Sequence, residues 1–386
     1  MALISMKPVM DYAKANKIAH GAFNVNMPSQ AQAVIEAHTI LDSAAILQGA
    51  ELANAFMGGR ADFMNGTLED KKLGAKRIAD AVKAMSEKTH IPVVLHLDHG
   101  RDFDSCKAVI DAGYSSVMID GSSKSFEENE ELTREVVKYA HARGVSVEGE
   151  LGVLAGVEDD VFSENSTYTN PMKVCEFVKN TKVDALAISY GTKHGAVKGK
   201  DVKLRGEIVI ASVENLKHEN LDCAIVSHGS SMVPKYIVDE INELGGNISG
   251  TGGVPLSELQ KVIPCGISKI NLDTDIRLAI TRNLRRMFKD NPSLTKANGL
   301  DKVWELMCQK PDAFDPRYYL VPIMDKLVKG ERIEESWYDE FIRQSDRGVM
   351  EAVMTAIVGF GSVGDAGKIK QVSLDEMAEY YKKQGI

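Results

Sequence analysis

The chain has 386 residues, 44% of them hydrophobic and 26% charged, with a formal net charge of −9. This length suits two ordinary domains or one α/β barrel with insertions, and the apolar share is enough for a large core, which excludes a disordered chain. The acidic balance comes without any polybasic stripe, which excludes nucleic acid as a partner.

At the amino terminus, MALISMKPVMDYAKANK lacks the continuous apolar core of a secretory signal. From Ala19 to Asp275, β-rich segments then alternate with helical patterns. The segments are AHGAFNV, AAILQ, IPVVLHL, SSVMID, VSVEGE, DALAISYG, CAIVSHG and ISKINLD. Eight strands separated by helices predict an α/β fold of the closed (β/α)8 TIM-barrel type. After the first strand, PSQAQAVIEAHTILDS opens on Pro28 and Ser29 and repeats apolar residues at Val34, Ile35 and Leu41, the spacing of an amphipathic helix. In ENEELTREVVKYAHARG, acidic residues crowd the first turn and basic ones the last, and Gly144 supplies a left-handed stop. A further helix is expected after Val254 and Pro255, and DIRLAITRNLRRMFKD reads as a long one.

Beyond it lie the polar stretch NPSLTKANG and more helices. We therefore read residues 1–386 as one domain, a barrel to about residue 290 with a helical elaboration over 291–386. The apolar run from Val349 to Val358 is expected to form a subunit contact. The longer stretch VMEAVMTAIVGFGSVG is broken by Glu351 and by glycines and falls short of a membrane span. Cys106, Cys175, Cys223, Cys265 and Cys308 are odd in number and form no CxxC pair, which points to a reducing compartment and to the cytoplasm.

The chemistry is carried by three histidines. His99 in HLDHG, His194 in GTKHG and His228 in VSHGSS each end a predicted parallel strand, on the face where TIM barrels build active sites. One such histidine alone is better read as a hydrogen-bonded core residue. Three from separate strands can converge on one zinc and leave a coordination position open, the pattern of a catalytic metal. His96, in the same strand as His99, is a further candidate ligand. Asp98 beside His99 offers a carboxylate to move a proton on whatever the metal binds. Asp120 in SVMID and Glu150 in VEGELG either orient the imidazoles or hold a second metal position, with helix capping as the plain alternative.

GTKHGAVKG, HGSS and NLDTD follow strands six, seven and eight, where barrel loops often cradle phosphate with backbone N–H groups. Gly195, Gly229, Ser230, Ser231 and Thr274 are the candidate donors. Lys198 and Arg277 add charge there, unless they are only solvated surface groups. ELGVLAGVEDD after strand five reads as a mobile loop that delivers Glu158 as a base, or else as an ordinary surface loop. Lys269 lies in the largely apolar strand eight, between Ser268 and Ile270, so an outward or salt-bridged placement is expected and no Schiff base is needed.

Taken in order and spacing, FNVN, ILQ, HLDHG, VEGELG, GTKHG, SHGSS and KINLDTDIR over roughly residues 1–290, with FDPRYYL and FGSVGDAGK later, resemble the class II, zinc-dependent fructose-1,6-bisphosphate aldolases. The resemblance implies zinc on His99, His194 and His228, with Asp120 and Glu150 at a second or alternate divalent-metal position. Asp98 would take the proton of the C4 hydroxyl in cleavage and return it to the aldehyde oxygen in condensation. Glu158 would exchange the proton on the dihydroxyacetone phosphate carbon.

Asn271 would meet the enediolate and Asp273 the sugar hydroxyls, with Asn26 and Gln48 also in the substrate-binding set. Gly195, Gly229, Ser231 and Thr274 would hold one phosphate, and Lys198, Arg277 and Arg317 the other. Arg277 would reach into a neighbouring subunit's site, which implies a homo-oligomer, a dimer or tetramer. The partners would be a sugar bisphosphate and triose phosphates, and a monovalent cation near the phosphate loop belongs to the same implication.

Two departures stand out. Ala50 follows Gln48 and Gly49 where the family commonly has serine, and extra sequence occupies residues 293–310 and the stretch from Leu320 to Phe360. A tagatose-1,6-bisphosphate aldolase would share every motif. A zinc hydrolase on the same barrel, or a noncatalytic barrel, fits the phosphate loops and Asp98 less well.

Overall fold

A computed structural model describes residues 3–154, 156–158, 161–163, 167–198 and 202–385, with the backbone alone described at 157–158 and 161–163. The strands are β1 His20–Asn24, β2 Ala45–Ala50, β3 Val93–Gly100, β4 Ser116–Ile119, β5 Ser146–Leu151, β6 Gly156–Glu158, β7 Val161–Ser163, β8 Ala185–Ile188, β9 Ala224–Ser227 and β10 Ile267–Leu272. Eight of them close a parallel barrel in the order β1-β10-β9-β8-β5-β4-β3-β2, and each comes from one of the eight predicted segments. β6 and β7 pair antiparallel as a separate hairpin after β5, where the sequence suggested a mobile loop. Barrel strands are covered on both faces, so they read in sequence as apolar runs without alternation.

Helices cover the outside where their signals fall: Pro28–Ile40, Phe126–His141, Leu256–Val262 and Thr274–Asp290. Ser125 and Glu128 form a reciprocal capping box at the start of Phe126–His141, and Gly144 after its end has φ +72°. Among the described residues no helix is long and apolar enough to cross a membrane.

The lumen is stratified. Its amino-terminal end is filled by Ala22, Ile46, Val94, Met118, Ala185, Ala187, Ala224 and Val226, and Met6, Val9 and Met10 close it from below. Val9 and Met10 belong to the helix Lys7–Asn16, so the first turns of the chain plug the barrel. Above this apolar layer the inward side chains become polar, and the carboxyl-terminal mouth is the functional end.

The carboxyl-terminal region corrects one expectation. Val349, Val353, Ala356 and Ile357 are fully buried within their own chain, not offered to a second subunit. Their helix, Tyr338–Phe360, packs on Thr274–Asp290, on Pro28–Ile40 and on β1. It fills the gap between the last and first helices of the ring, so most of the apolar run is consumed in closing the barrel wall, while Val358 at its end stays 62% exposed. The remaining tail runs under the closed end. Ala44 N–H donates to Asp365 Oδ1 at 3.1 Å, and Tyr381 OH donates to Asp184 at 2.8 Å while its ring stacks on His141.

Asp346 on the helix Tyr338–Phe360 faces Glu36 of Pro28–Ile40, and its Oδ1 is buried with no hydrogen-bond partner among the described residues. Burial first, and Glu36 second, push its carboxyl up to about 7. The folded value therefore lies above the unfolded one of about 3.9, so this group's contribution to stability falls as pH rises from about 4 through 7. Asp346→Asn should raise the melting temperature at pH 8 and leave it unchanged at pH 4. Scanning calorimetry showing equal shifts at both values would contradict this.

Candidate active site

On a regular strand Asp98 and His99 would point to opposite faces. Here the β3–β4 register shifts between Leu97 and Gly100, and His99 takes φ +47°, a left-handed conformation that costs a residue with a side chain about 1–3 kcal/mol. The bulge turns both side chains into the barrel mouth. Asp98 Oδ1 accepts from Asn271 Nδ2 at 3.0 Å, and His99 Nε2 lies 3.1 Å from His228 Nδ1. His194 completes the group, its ring centroid 5.3 Å from that of His99 and 6.4 Å from that of His228.

Behind His99, Nδ1 meets Asp120 Oδ2 at 2.9 Å, with Glu150 Oε2 at 3.9 Å. Ser122 donates to Asp120 through its N–H at 3.0 Å and its hydroxyl at 2.6 Å, so Asp120 is tied to a turn and the helix cap falls to Ser125. Burial raises the Asp120 carboxyl, but His99 and Ser122 outweigh it and hold it well below the usual range. Burial lowers the His99 imidazole, and Asp98, Asp120 and Glu150 together hold it well above its usual value.

The donor set suits a borderline metal. Asp98, His99 and His228 bring ligand atoms within 4.8 Å of one another, as do His99, Asp120 and Glu150. Asp98 Oδ2 is buried with no hydrogen-bond partner among the described residues. Two imidazole nitrogens 3.1 Å apart, with a third imidazole alongside, match tetrahedral zinc better than an all-oxygen magnesium or calcium site.

Above this floor lies a cavity of about 480 Å³ lined by His194, Gly195, Lys198, Gly229, Ser230, Ser231, Asn271, Asp273, Thr274, Arg277 and Arg317. The loops after β8, β9 and β10 thus share one wall. Gly229, at φ +61°, permits the close approach, since a Cβ there would stand 2.6 Å from the Lys193 carbonyl carbon. Lys198 Nζ donates to Gly229 O at 2.8 Å and also to Lys193 O, clamping the two loops. The Ser230 hydroxyl lies 2.7 Å from Ser227 Oγ and so faces into the loop.

Not every candidate lines the cavity. Asn26 is buried and its N–H donates to Gln30, and the Gln48 amide is buried in register with His96, without a hydrogen-bond partner among the described residues. Glu158 belongs to β6 by its backbone, and its side chain lies outside the described residues. Of the two placements expected for Lys269, the salt-bridged one holds and the outward one does not. It points into the lumen and pairs with Glu148 at 2.9 Å.

Asp315 is a residue the sequence reading missed. It accepts from Arg277 Nη1 at 3.1 Å and from Arg317 Nη2 at 2.8 Å, and Asp273 accepts from Arg277 Nε at 2.8 Å. Arg277 therefore stands in the cavity of its own chain. The signal for Asp315 was the Asp-Pro pair that starts a helix, and for Glu148 it was the i, i+2 spacing to Glu150 on one strand face.

A family model described as fructose-bisphosphate aldolase class-II matches residues 4–337. The chain belongs to the class II fructose-bisphosphate aldolase family. It is 36% identical over 385 residues to the fructose-bisphosphate aldolase of Giardia intestinalis, covering 99% of this chain and 100% of that one. It is likewise 36% identical to that of Pseudomonas aeruginosa, over 99% and 98% of the two chains. A crystal structure of fructose-bisphosphate aldolase from Campylobacter jejuni shares the fold, with a TM-score of 0.68 at 23% identity over 94% of this chain and 96% of that one. Members of this aldolase family are lyases that use a divalent metal, consistent with the histidine cluster. In this aldolase Ala50 pairs with Asp98 in the β2–β3 register, so the family's usual serine hydroxyl would stand beside that carboxylate.

If the Gly229 contact shapes the phosphate wall, Gly229→Ala should raise KM for a phosphorylated substrate by about tenfold or more, the worth of one charge-assisted hydrogen bond. Metal content should be unchanged. An unaltered KM in steady-state kinetics would show that the wall tolerates the displacement.

Proposed function

We propose that the chain catalyses the reversible aldol cleavage of fructose 1,6-bisphosphate to dihydroxyacetone phosphate and glyceraldehyde 3-phosphate, with zinc held by His99, His194 and His228. The observation that carries this reading is the bulge that turns Asp98 and His99 to the same side, placing a proton-accepting carboxylate against His99 and His228, with the His194 ring alongside. When bound, the metal supplies Lewis-acid polarisation of the ketone and spreads the charge that carbon–carbon cleavage leaves behind. The remaining work falls to the chain.

Asp98, oriented by Asn271 through Oδ1, takes the C4 hydroxyl proton on its second oxygen and returns it to the aldehyde oxygen in the reverse direction. Glu158, on the hairpin after β5, exchanges the proton on the dihydroxyacetone phosphate carbon. Asp273 meets the sugar hydroxyls. Backbone N–H groups of Gly195, Gly229, Ser231 and Thr274 take one phosphate, helped by the positive end of the helix Thr274–Asp290. Arg277, Arg317 and Lys198 take the other, exchanging Asp273, Asp315 and carbonyl partners for phosphate oxygens.

Asp120 orients His99, with Glu150 beside it as part of a second divalent position. Asn26 and Gln48 act from beneath the cavity. The reading includes a cytoplasmic location, in line with five free cysteines, and a homo-oligomer, dimer or tetramer, measurable by sedimentation.

The test is cleavage of fructose 1,6-bisphosphate coupled to triose phosphate detection, before and after chelation and zinc add-back, with tagatose 1,6-bisphosphate in parallel. Activity should vanish with the chelator and return with zinc. Asp98→Asn should lower kcat by about 10²–10⁴ while retaining metal. Full activity after chelation would sink the proposal, and a strong tagatose preference would assign the other epimer.

A further inference from the structure

Beneath the three histidines lies a charged layer that the reaction as described does not use. Glu148 on β5, Lys269 on β10 and His96 on β3 are all completely buried. Glu148 Oε1 is 2.7 Å from His228 Nε2, and Oε2 is 2.9 Å from Lys269 Nζ. His96 Nε2 stands 3.6 Å from the same Oε2, and its Nδ1 is 2.7 Å from Ser116 Oγ. On the opposite edge of the His228 ring, Nδ1 faces His99 Nε2 at 3.1 Å.

We propose that Glu148 and Lys269 act together as positioning residues that fix the tautomer of His228, so that its Nδ1 lone pair faces the metal position. This rests on the reading of His228 as a ligand. A neutral imidazole carries one N–H and one lone pair, and an ionised carboxylate can only accept. Glu148 therefore requires the proton on Nε2 and leaves Nδ1 bare. Lys269 can only donate, so Glu148 must present an acceptor oxygen at both ends, to the ammonium and to the imidazole. At this length only a carboxylate does that.

The pair gives an asymmetric expectation for Glu148→Gln. Bonds to a charged group are the stronger ones, so Lys269 would claim the amide oxygen. The amide NH₂ would then face His228 Nε2, which must accept. That moves the ring proton to Nδ1 and aims it at the metal position. Removing the ammonium as well, in Glu148→Gln with Lys269→Met, frees the amide to turn its oxygen toward His228. The double variant carries no buried charge in this pair, so it should fold at least as well as the single one.

Two readouts test this on the full chain. Histidine-selective ¹⁵N NMR of the metal-free protein should give His228 as Nε2–H in the wild type, Nδ1–H in Glu148→Gln, and Nε2–H again in the double variant. Zinc affinity by competition with a chromophoric chelator should fall about 10- to 100-fold in Glu148→Gln and recover most of that loss in the double variant. A wild-type tautomer in Glu148→Gln, or a double variant that binds zinc no more tightly than the single, would overturn the proposal. His228→Ala separates the two readings. If the NMR shifts occur as expected while that variant keeps stoichiometric zinc, the tautomer control stands and the ligand assignment of His228 falls.

Discussion

A carboxylate at the centre of the barrel is the constraint on which the rest depends. Glu148 is wholly inside the lumen, and an anion there is tolerable only because Lys269 reaches in from β10 and His228 from the end of β9. Burial alone would raise its carboxyl. The Lys269 ammonium and the His228 N–H outweigh that and hold it well below the usual carboxylate range. Breaking one partner of such a buried pair typically costs about 3–5 kcal/mol, so the layer ties three strands together as well as orienting a site residue.

That layer divides the molecule. Below it the lumen is largely apolar, with Ser116 and Ser146 among its buried groups, and is closed by Met6, Val9 and Met10, and the tail beneath locks through Asp365 and Tyr381. Above it stand Asp98, His99, His228 and Asn271, joined to one another at the mouth. The stable end pays for the strained one: the left-handed backbone at His99 and the close approach at Gly229 persist because rigid strands beneath them leave the chain no alternative. The cavity charges are balanced before any ligand arrives. Asp315 and Asp273 hold the arginines and backbone carbonyls hold Lys198, so a phosphate replaces existing partners instead of meeting bare cations.

Much of this was legible in the chain. Eight strands buried on both faces write themselves as apolar runs, and the turns after them carry the histidines and glycines that become the mouth. Other features were not legible. The run from Val349 to Val358 is equally apolar whether it meets a second subunit or its own barrel, because periodicity reports that a face is buried and never against what. Lys269, between Ser268 and Ile270, read as outward or salt-bridged with no partner to name, since its counter-ion lies 121 positions away on another strand. Asp315 carried only a helix-start signal.

The sequence by itself determined the barrel, its strand count, the three histidines with Asp98, and the family, because each is encoded in local runs and short motifs whose meaning survives without neighbours. Only the tertiary structure decided which way those side chains face and what balances them. Inward Lys269, the bulge that aligns Asp98 with His99, and the carboxylates that hold Arg277 and Arg317 all follow from register and from charges brought together by barrel closure. A single chain position cannot record a Coulomb partner that folding alone supplies.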